Sequence, residues 1–401
     1  MNVTLLGMGC GTEALTIEAR NALIQAGLIV GAQRLLDALP EDCSGKRVAA
    51  VASADIVNCI VKENCKEVCI VFSGDSGFYS GARGVLPRLS GHTIRMLPGI
   101  SCVQALAAAL SRPWQNWRLA SAHGTFCDPV AELMQGAPVL FLTGGPDGPA
   151  TLCRAIDEAG LGELSVTVGE DLGFPTQKLT FGTAREFSSQ KFSPLNVLLA
   201  EAVPMPPRRA PGWPDAWFRQ EERVPLTKCE VRAAVLSNLA VNPEMVCWDI
   251  GAGTGSVGIE MAALCREVWA VEQSAEALAL LHRNRKNLHA YNLHIIEGTA
   301  PNVLSKLPAP NAVFIGGSGG HIEEILQAVY AANSSAKVCV SAIRFSTLYT
   351  AYETMRRLGY EVSVTQLCIN HSHDLGGEPM LRAQNPIFLI LGERVGTVCD
   401  N

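Results

Sequence analysis

Short apolar runs, each closed by glycine or a small polar residue and followed by a helical stretch, recur along most of the chain. Val3-Thr4-Leu5-Leu6 opens onto Gly7-Met8-Gly9-Cys10-Gly11, and Leu15-Thr16 leads a helix through Ala26. Residues 26–31 form a second run, with a helical stretch to Leu39. Val68-Cys69-Ile70-Val71-Phe72 closes on Ser73-Gly74-Asp75-Ser76-Gly77. Thr93-Ile94-Arg95-Met96-Leu97 closes on Pro98-Gly99-Ile100-Ser101, with residues 102–110 helical, and Val139-Leu140-Phe141-Leu142 closes on Thr143-Gly144-Gly145. Unbroken apolar runs of strand length, punctuated this way, predict buried strands of a parallel α/β sheet. Ligands in such sheets bind beyond the strand ends, so one nucleoside-sized site built from several loops is expected.

The second half repeats the pattern in a sharper form. Val246-Cys247-Trp248-Asp249-Ile250 runs into Gly251-Ala252-Gly253-Thr254-Gly255, and residues 267–271 form another run that stops on Glu272. Glycines let the backbone approach a nucleoside closely, and a carboxylate at the next strand end can grip ribose hydroxyls. The spacing is G-x-G-x-G, not the G-x-G-x-x-G of dinucleotide folds, which favours S-adenosylmethionine over NAD. A helix over 274–289 and a strand over 293–296 follow, closed by Glu297-Gly298-Thr299-Ala300-Pro301. A further strand over 312–315 is closed by Gly316-Gly317-Ser318-Gly319-Gly320. Residues 337–343, 361–368 and 386–391 supply the last strands, the final two antiparallel. Upstream, Thr227 is placed to cap a helix from Lys228 to about Leu239.

Between the halves, Pro204, Pro206, Pro207, Pro211, Pro214 and Pro225 crowd together with Arg208, Arg209, Trp213 and Trp217. Proline fixes φ and removes a donor, so this stretch is read as a junction: residues 1–203 one domain, 204–223 a linker, 224–401 another. The two tryptophans are expected to dock on a neighbouring domain, with a lid over the active site as the alternative.

Composition narrows the function. The 401 residues are 48% hydrophobic and 17% charged, with a net charge of −6. That describes a globular chain without the basic footprint of a general nucleic-acid binder. No apolar run reaches bilayer length, and residues 1–11 lack the basic start of a signal peptide. The fourteen cysteines are scattered without a C-x-x-C pair, as expected of reduced thiols in a cytoplasmic protein. His371-Ser372-His373-Asp374 has no acidic or cysteine partner nearby in sequence and is read as a polar tip, so no metal site is expected.

Residues 1 to 200 resemble the tetrapyrrole methylases, class III S-adenosylmethionine-dependent enzymes built of two α/β lobes. The resemblance rests on residues 7–11, 73–77 and 98–101 and on Val168-Gly169-Glu170-Asp171-Leu172-Gly173. Cys10 and Ser76 stand where that family usually has proline. From about residue 222 onward the chain resembles a class I, Rossmann-like decarboxylating methylase, through Pro225-Leu226-Thr227-Lys228, residues 249–255, Glu272, residues 298–301 and the Gly316 to Gly320 loop. The whole is similar to the fused precorrin-6Y C(5,15)-methyltransferase (decarboxylating) family of cobalamin biosynthesis.

That resemblance implies two S-adenosylmethionine sites, one per domain. In the C-terminal domain it implies contacts from Thr227, Gly251, Ala252, Gly253, Thr254, Gly255, Glu272, Gly298, Thr299 and Ala300, although Asp is common in the family where Thr299 sits. In the N-terminal domain it implies Gly7, Gly9, Gly11, Gly74, Asp75, Pro98 and Gly99. The implied substrate is precorrin-6B or its cobalt form, a small-molecule corrinoid rich in carboxylates. It is methylated at carbons 5 and 15 with loss of the ring C acetate carboxyl, to give precorrin-8. A homo-oligomer, and transfer to neighbouring pathway enzymes, are further expectations; nucleic acid and membrane partners are not. Methyl transfer to an electron-rich carbon needs positioning more than acid–base chemistry. Substrate contacts are therefore sought among Lys228, Arg232, Arg344 and Arg382, the Gly317-Ser318-Gly319 loop, and Arg112. An NAD-dependent dehydrogenase, and a methyltransferase acting on nucleic acid or another small molecule, are the alternatives.

Overall fold

The computed structural model describes residues 1–11, 14–144, 148–207 and 209–394; Gly145 and Arg208 lie outside the described residues. The chain forms two compact units, Met1–Val203 and the remainder from Pro204.

In the first unit, β1 (Asn2–Gly7), β2 (Leu28–Gly31), β3 (Lys46–Ala49), β4 (Glu67–Phe72) and β5 (Thr93–Leu97) make a parallel sheet ordered β3-β2-β4-β1-β5. β2 is buried along its whole length and β4 along all but its first residue, which is why both read as unbroken apolar runs. β3 is an edge strand, mostly exposed and carrying Lys46 and Arg47; its charges hid it from the hydrophobic pattern. Two helix starts have a local cause in their caps. The Thr16 hydroxyl accepts from the Ala19 amide at the start of Ile17–Gln25, and Ser101 with Gln104 makes a capping box for Cys102–Ala109.

A second sheet in the same unit contains β6 (Arg118–Ser121), β7 (Val139–Leu142), β8 (Ser165–Glu170), β9 (Lys178–Thr183) and β10 (Asn196–Ala200), ordered β6-β7-β10-β8-β9. Only β6 and β7 run parallel. The run 139–142 therefore does not extend the first sheet; it starts a mixed lobe.

In the second unit, β11 (Val246–Ile250), β12 (Glu267–Glu272), β13 (Leu293–Glu297), β14 (Ala312–Ile315), β15 (Lys337–Ala342), β16 (Glu361–Leu367) and β19 (Ile387–Glu393) form one sheet ordered β13-β12-β11-β14-β15-β19-β16. The first five are parallel, and β19 lies antiparallel between β15 and β16. β17 (Asn370–Leu375) and β18 (Glu378–Ala383) make an exposed hairpin. His371 and His373 sit on it, and His371 Nε2 lies 3.4 Å from Glu230 Oε1.

The proline-rich stretch is no free linker over its second half. Trp213 is 1% exposed and belongs to the second unit's own core. The amides of Gly212 and Trp213 donate to Glu260 at 2.6 and 3.0 Å. Arg232, fully buried, donates to Glu260 at 2.6 Å and to Asp215 at 2.8 Å, and its guanidinium also reaches the Trp213 and Thr227 carbonyls. Its cationic plane lies 4.7 Å above the Phe218 ring. Trp213 and Trp217 pack tilted against each other at 5.9 Å. The expected docking on a neighbouring domain is thus corrected for Trp213: it is a core residue of the unit that begins at Pro204.

Candidate functional sites

In the first unit three loops meet at the C-terminal ends of β1, β4 and β5. The Gly9 amide donates to the Gly74 carbonyl at 3.0 Å, and the Gly74 amide returns a bond to Gly9 at 3.2 Å. Asp75 ties two of the loops, accepting from the Gly77 amide at 2.6 Å and the Gly99 amide at 3.2 Å. The packing is backbone on backbone. A Cβ on Gly7 would stand 2.5 Å from the Gly74 carbonyl oxygen, and one on Gly99 only 2.3 Å from that same atom. The two departures from the family prolines also act as tethers: the Ser76 hydroxyl donates to the Leu97 carbonyl at 3.0 Å and the Cys10 thiol to the Ile100 carbonyl at 3.4 Å. Burial raises the Cys10 thiol pKa and pushes Cys102 up to about 12, so neither is a thiolate nucleophile at neutral pH.

These loops wall a cavity of about 1130 Å³. Gly9, Gly11, Gly74 and Asp75 line it; Gly7 and Gly99 do not, each pressed against the Gly74 carbonyl, and Pro98 is exposed outside the lining. Gly7 and Gly99 are thus packed as supports of the cradle. Arg112 is corrected. It makes a bidentate pair with Glu201 at 2.5 and 3.0 Å, lies 5.6 Å over Trp117, and does not line the cavity. The lining instead includes Arg34, Arg83, Tyr79 and His123. The signal for the arginines was present: each follows closely on the segment leaving the C-terminal end of a parallel strand.

In the second unit the loop after β11 turns on three glycines with left-handed φ, +70° at Gly251, +57° at Gly253 and +78° at Gly255. The Gly251 and Ala252 amides both donate to the Val271 carbonyl, at 3.0 and 3.1 Å. Glu272 accepts from the Gly253 amide at 2.8 Å and from the Gln273 and Ser274 amides at 2.8 and 2.9 Å. A carboxylate has about four acceptor positions. Three are filled, leaving room for one further hydroxyl. Behind the loop, Asp249 is buried and accepts from the Gly258 amide at 2.8 Å through one oxygen, while its other oxygen has no partner. Burial chiefly, with the neighbouring Glu272 charge adding, lifts its pKa to about 7.

Two glycines of this loop are closed in and one is not. A Cβ on Gly251 would meet the Gly317 carbonyl at 2.4 Å and one on Gly255 the Leu281 side chain at 2.0 Å; at Gly253 the nearest atom is the Pro225 carbonyl, 3.5 Å away. Gly253 therefore faces the side on which a ligand can lie against backbone. The Thr254 side chain points inward, 1% exposed. Gly298 donates to the Glu272 carbonyl at 2.9 Å, Ala300 is buried, and the exposed Thr299 hydroxyl bonds Gln273 at 3.0 Å. Gly317 and Gly319 of the following loop are exposed and Ser318 is partly so.

Among the proposed cations, Arg232 is spent on the Glu260–Asp215 cluster and is fully buried, so it is removed from the substrate contacts. Lys228, 3.6 Å from Asp215, takes the N-cap position of Cys229–Leu239. Thr227 is thus one residue too early to cap that helix. Arg344 and Arg382 are exposed. Among the described residues no cluster of three or more His, Cys, Asp and Glu is arranged to hold a metal, and no helix is long and apolar enough to cross a membrane.

Comparison with known proteins gives these cradles a context. The profile of tetrapyrrole (corrin/porphyrin) methylases matches residues 2–188, and that of the precorrin methyltransferase domain matches residues 216–393. A precorrin-6Y C(5,15)-methyltransferase [decarboxylating] from Sinorhizobium sp. is 31% identical over 385 residues, 94% of this chain and 92% of that protein. A probable cobalt-precorrin-6B C(15)-methyltransferase (decarboxylating) from Pyrobaculum calidifontis is 34% identical, aligning to 46% of this chain and 96% of its own. A crystal structure of precorrin-6Y C5,15-methyltransferase from Geobacter metallireducens is 35% identical, covering 46% of this chain and all of its own, with a TM-score of 0.44. With an end-to-end relative and both halves matched in order, the chain belongs to the precorrin-6Y C(5,15)-methyltransferase (decarboxylating) family.

Proposed function

We propose that this chain methylates precorrin-6B, or its cobalt form, at carbons 5 and 15 and releases carbon dioxide from the ring C acetate, giving precorrin-8 in cobalamin biosynthesis. The observation that carries the reading is the presence of two glycine-built cradles on two different sheets in one chain, each inside a region matched to a methyltransferase family. We assign one S-adenosylmethionine to each cradle, carbon 15 and the decarboxylation to the second unit, and carbon 5 to the first. The proposed setting is the cytoplasm, with a homo-oligomer as the working assembly and the product handed to neighbouring pathway enzymes.

In the second unit, Gly253 would let the cofactor lie on backbone, Glu272 would accept one ribose hydroxyl at its remaining position, and the 298–300 segment would border the base. In the first unit, Gly9, Gly11, Gly74 and Asp75 would line the cofactor's end of the cavity. S-adenosylmethionine, when bound, supplies an electrophilic methyl group. The protein's share is to hold the acceptor carbon in line with that methyl and to exclude water. A reduced tetrapyrrole is an enamine, so its bridging carbons are already nucleophilic. Methylation of one bridge leaves a conjugated iminium, which can accept the electron pair released as the acetate carboxylate departs. That step needs an oriented carboxylate rather than a dedicated base.

The test is incubation with precorrin-6B and methyl-labelled S-adenosylmethionine. Two labelled methyls and one carbon dioxide per corrin are expected. Tight NAD binding with no methyl transfer would overturn the assignment.

A further inference from the structure

We propose that Arg34 and Arg83 are the substrate-positioning cations of the first unit, holding peripheral carboxylates of the tetrapyrrole while a bridging carbon faces the cofactor. The inference rests on the corrin-methyltransferase reading and names a subsite for it.

Both side chains line the large cavity, both are exposed, and neither has a charged partner among the described residues. The unit's other arginines facing acids are already committed: Arg20 to Asp42, Arg95 to Glu18, Arg112 to Glu201, Arg118 to Glu132, and Arg185 to Asp157 and Glu163. An arginine left unpaired at a cavity wall keeps its full set of donors for a bidentate carboxylate.

Topology explains why the two fall together. Arg34 lies in the helix Gln33–Asp37, which leaves the end of β2, and Arg83 in Ala82–Val85, which follows the β4 loop. β2 and β4 are neighbours in the sheet, and β1, which carries the glycine loop, lies on the other side of β4. The strand ends thus supply the cations on one side and the amide-rich cradle on the other. Leu35, Ala38 and Leu86 line the cavity beside the arginines and offer apolar surface to a macrocycle face. At about 1130 Å³ the cavity exceeds the roughly 300–1,000 Å³ of ordinary small-molecule sites, room for a cofactor and a large acceptor together.

The experiment uses the full chain with Arg34→Gln, Arg83→Gln, the double variant and the matching lysine variants. S-adenosylmethionine affinity is read by titration calorimetry, and the KM for precorrin-6B is read from methylation at carbon 5. Each glutamine variant is expected to raise that KM about tenfold, the loss of one charge-assisted contact, with kcat changed far less. Cofactor affinity should stay unchanged and lysine should restore part of the loss. The rise of KM with salt should flatten in the double variant. An unchanged KM in the double variant, or an equal loss of cofactor affinity, would overturn the inference. A wild-type chain that fails to methylate precorrin-6B would instead defeat the functional reading on which it rests.

Discussion

The two cradles use glycine for opposite reasons. In the first unit Gly7 and Gly99 are pressed between backbones, and the surface offered to a ligand is made by their neighbours. In the second unit Gly253 is itself the surface, open on the side where a Cβ would project. The acids, by contrast, work alike: each accepts from its own loop and from a neighbouring one, two amides at Asp75 and three at Glu272. Similar glycine motifs therefore include packing positions, Gly7 and Gly99 in one half of the chain, and a position left open, Gly253 in the other.

The sharpest way to break this comparison is Gly99→Ala. The added methyl would stand 2.3 Å from the Gly74 carbonyl and 2.7 Å from both the Gly7 carbonyl and the Gly9 amide, all backbone atoms. No side-chain rotation relieves that, so the three-loop node must open, at a cost of about 3 kcal/mol or more. Calorimetric stoichiometry for S-adenosylmethionine should fall from the proposed two to one, with the first unit's unfolding shifted down and the second's unmoved. Retention of both sites would mean that the node is not what shapes the first cradle.

Of comparable size at its upper bound is a pH effect confined to the second unit. Asp249 titrates near 7 in the fold against an ordinary value of 3.8. Between those values the folded state holds a proton that the unfolded state has released, so stability falls as pH rises from about 4 to 7 and stays reduced above. The span corresponds to an upper bound of about 4 kcal/mol. Asp249→Asn keeps an acceptor for the Gly258 amide and carries no charge. Denaturation of the second unit should then lose this slope, the variant gaining on the wild type steadily up to pH 7. A parallel pair of stability curves would refute the buried-acid account.

Glu272→Gln tests the contact surface itself. The neutral amide keeps one oxygen but loses the charge-assisted bonds, worth about 2 kcal/mol, so cofactor affinity at the second site should drop roughly thirtyfold. The first site should titrate as before. A uniform weakening of both sites would erase the distinction between the units.

How much of this was readable beforehand follows from what each residue does. Strands such as β2, β4 and β11 were legible because both faces are buried and their apolar runs are continuous. Edge strand β3 and the hairpin β17–β18 were not, since they are mostly or wholly exposed and their few apolar residues follow no buried pattern. The glycine loops were legible as positions, but whether a glycine packs or contacts depends on which backbone lies opposite it, and for Gly7 and Gly99 that partner, Gly74, lies 67 and 25 residues away in sequence. Arg232 and Arg112 were misread for the same reason: charge is visible in sequence, and the acid that consumes it is not. Trp213 looked like a linker residue because proline surrounds it, yet Glu260 and Arg232 fasten its backbone into the core.

The finest test lies within the second cradle and needs only alanine at Gly253. Its φ of +57° is left-handed, which costs a non-glycine residue about 1 kcal/mol, and the new methyl meets nothing nearer than the Pro225 carbonyl at 3.5 Å. The fold should therefore survive with a small drop in midpoint. The methyl nevertheless projects into the space we assign to the cofactor, so affinity at that site should fall well beyond what the stability change accounts for. Gly255→Ala is the internal contrast, because its methyl would strike Leu281 at 2.0 Å and the loss would appear first in stability. If the two variants lost stability and affinity in the same proportion, Gly253 would be another packing glycine, and the second cradle would be built like the first.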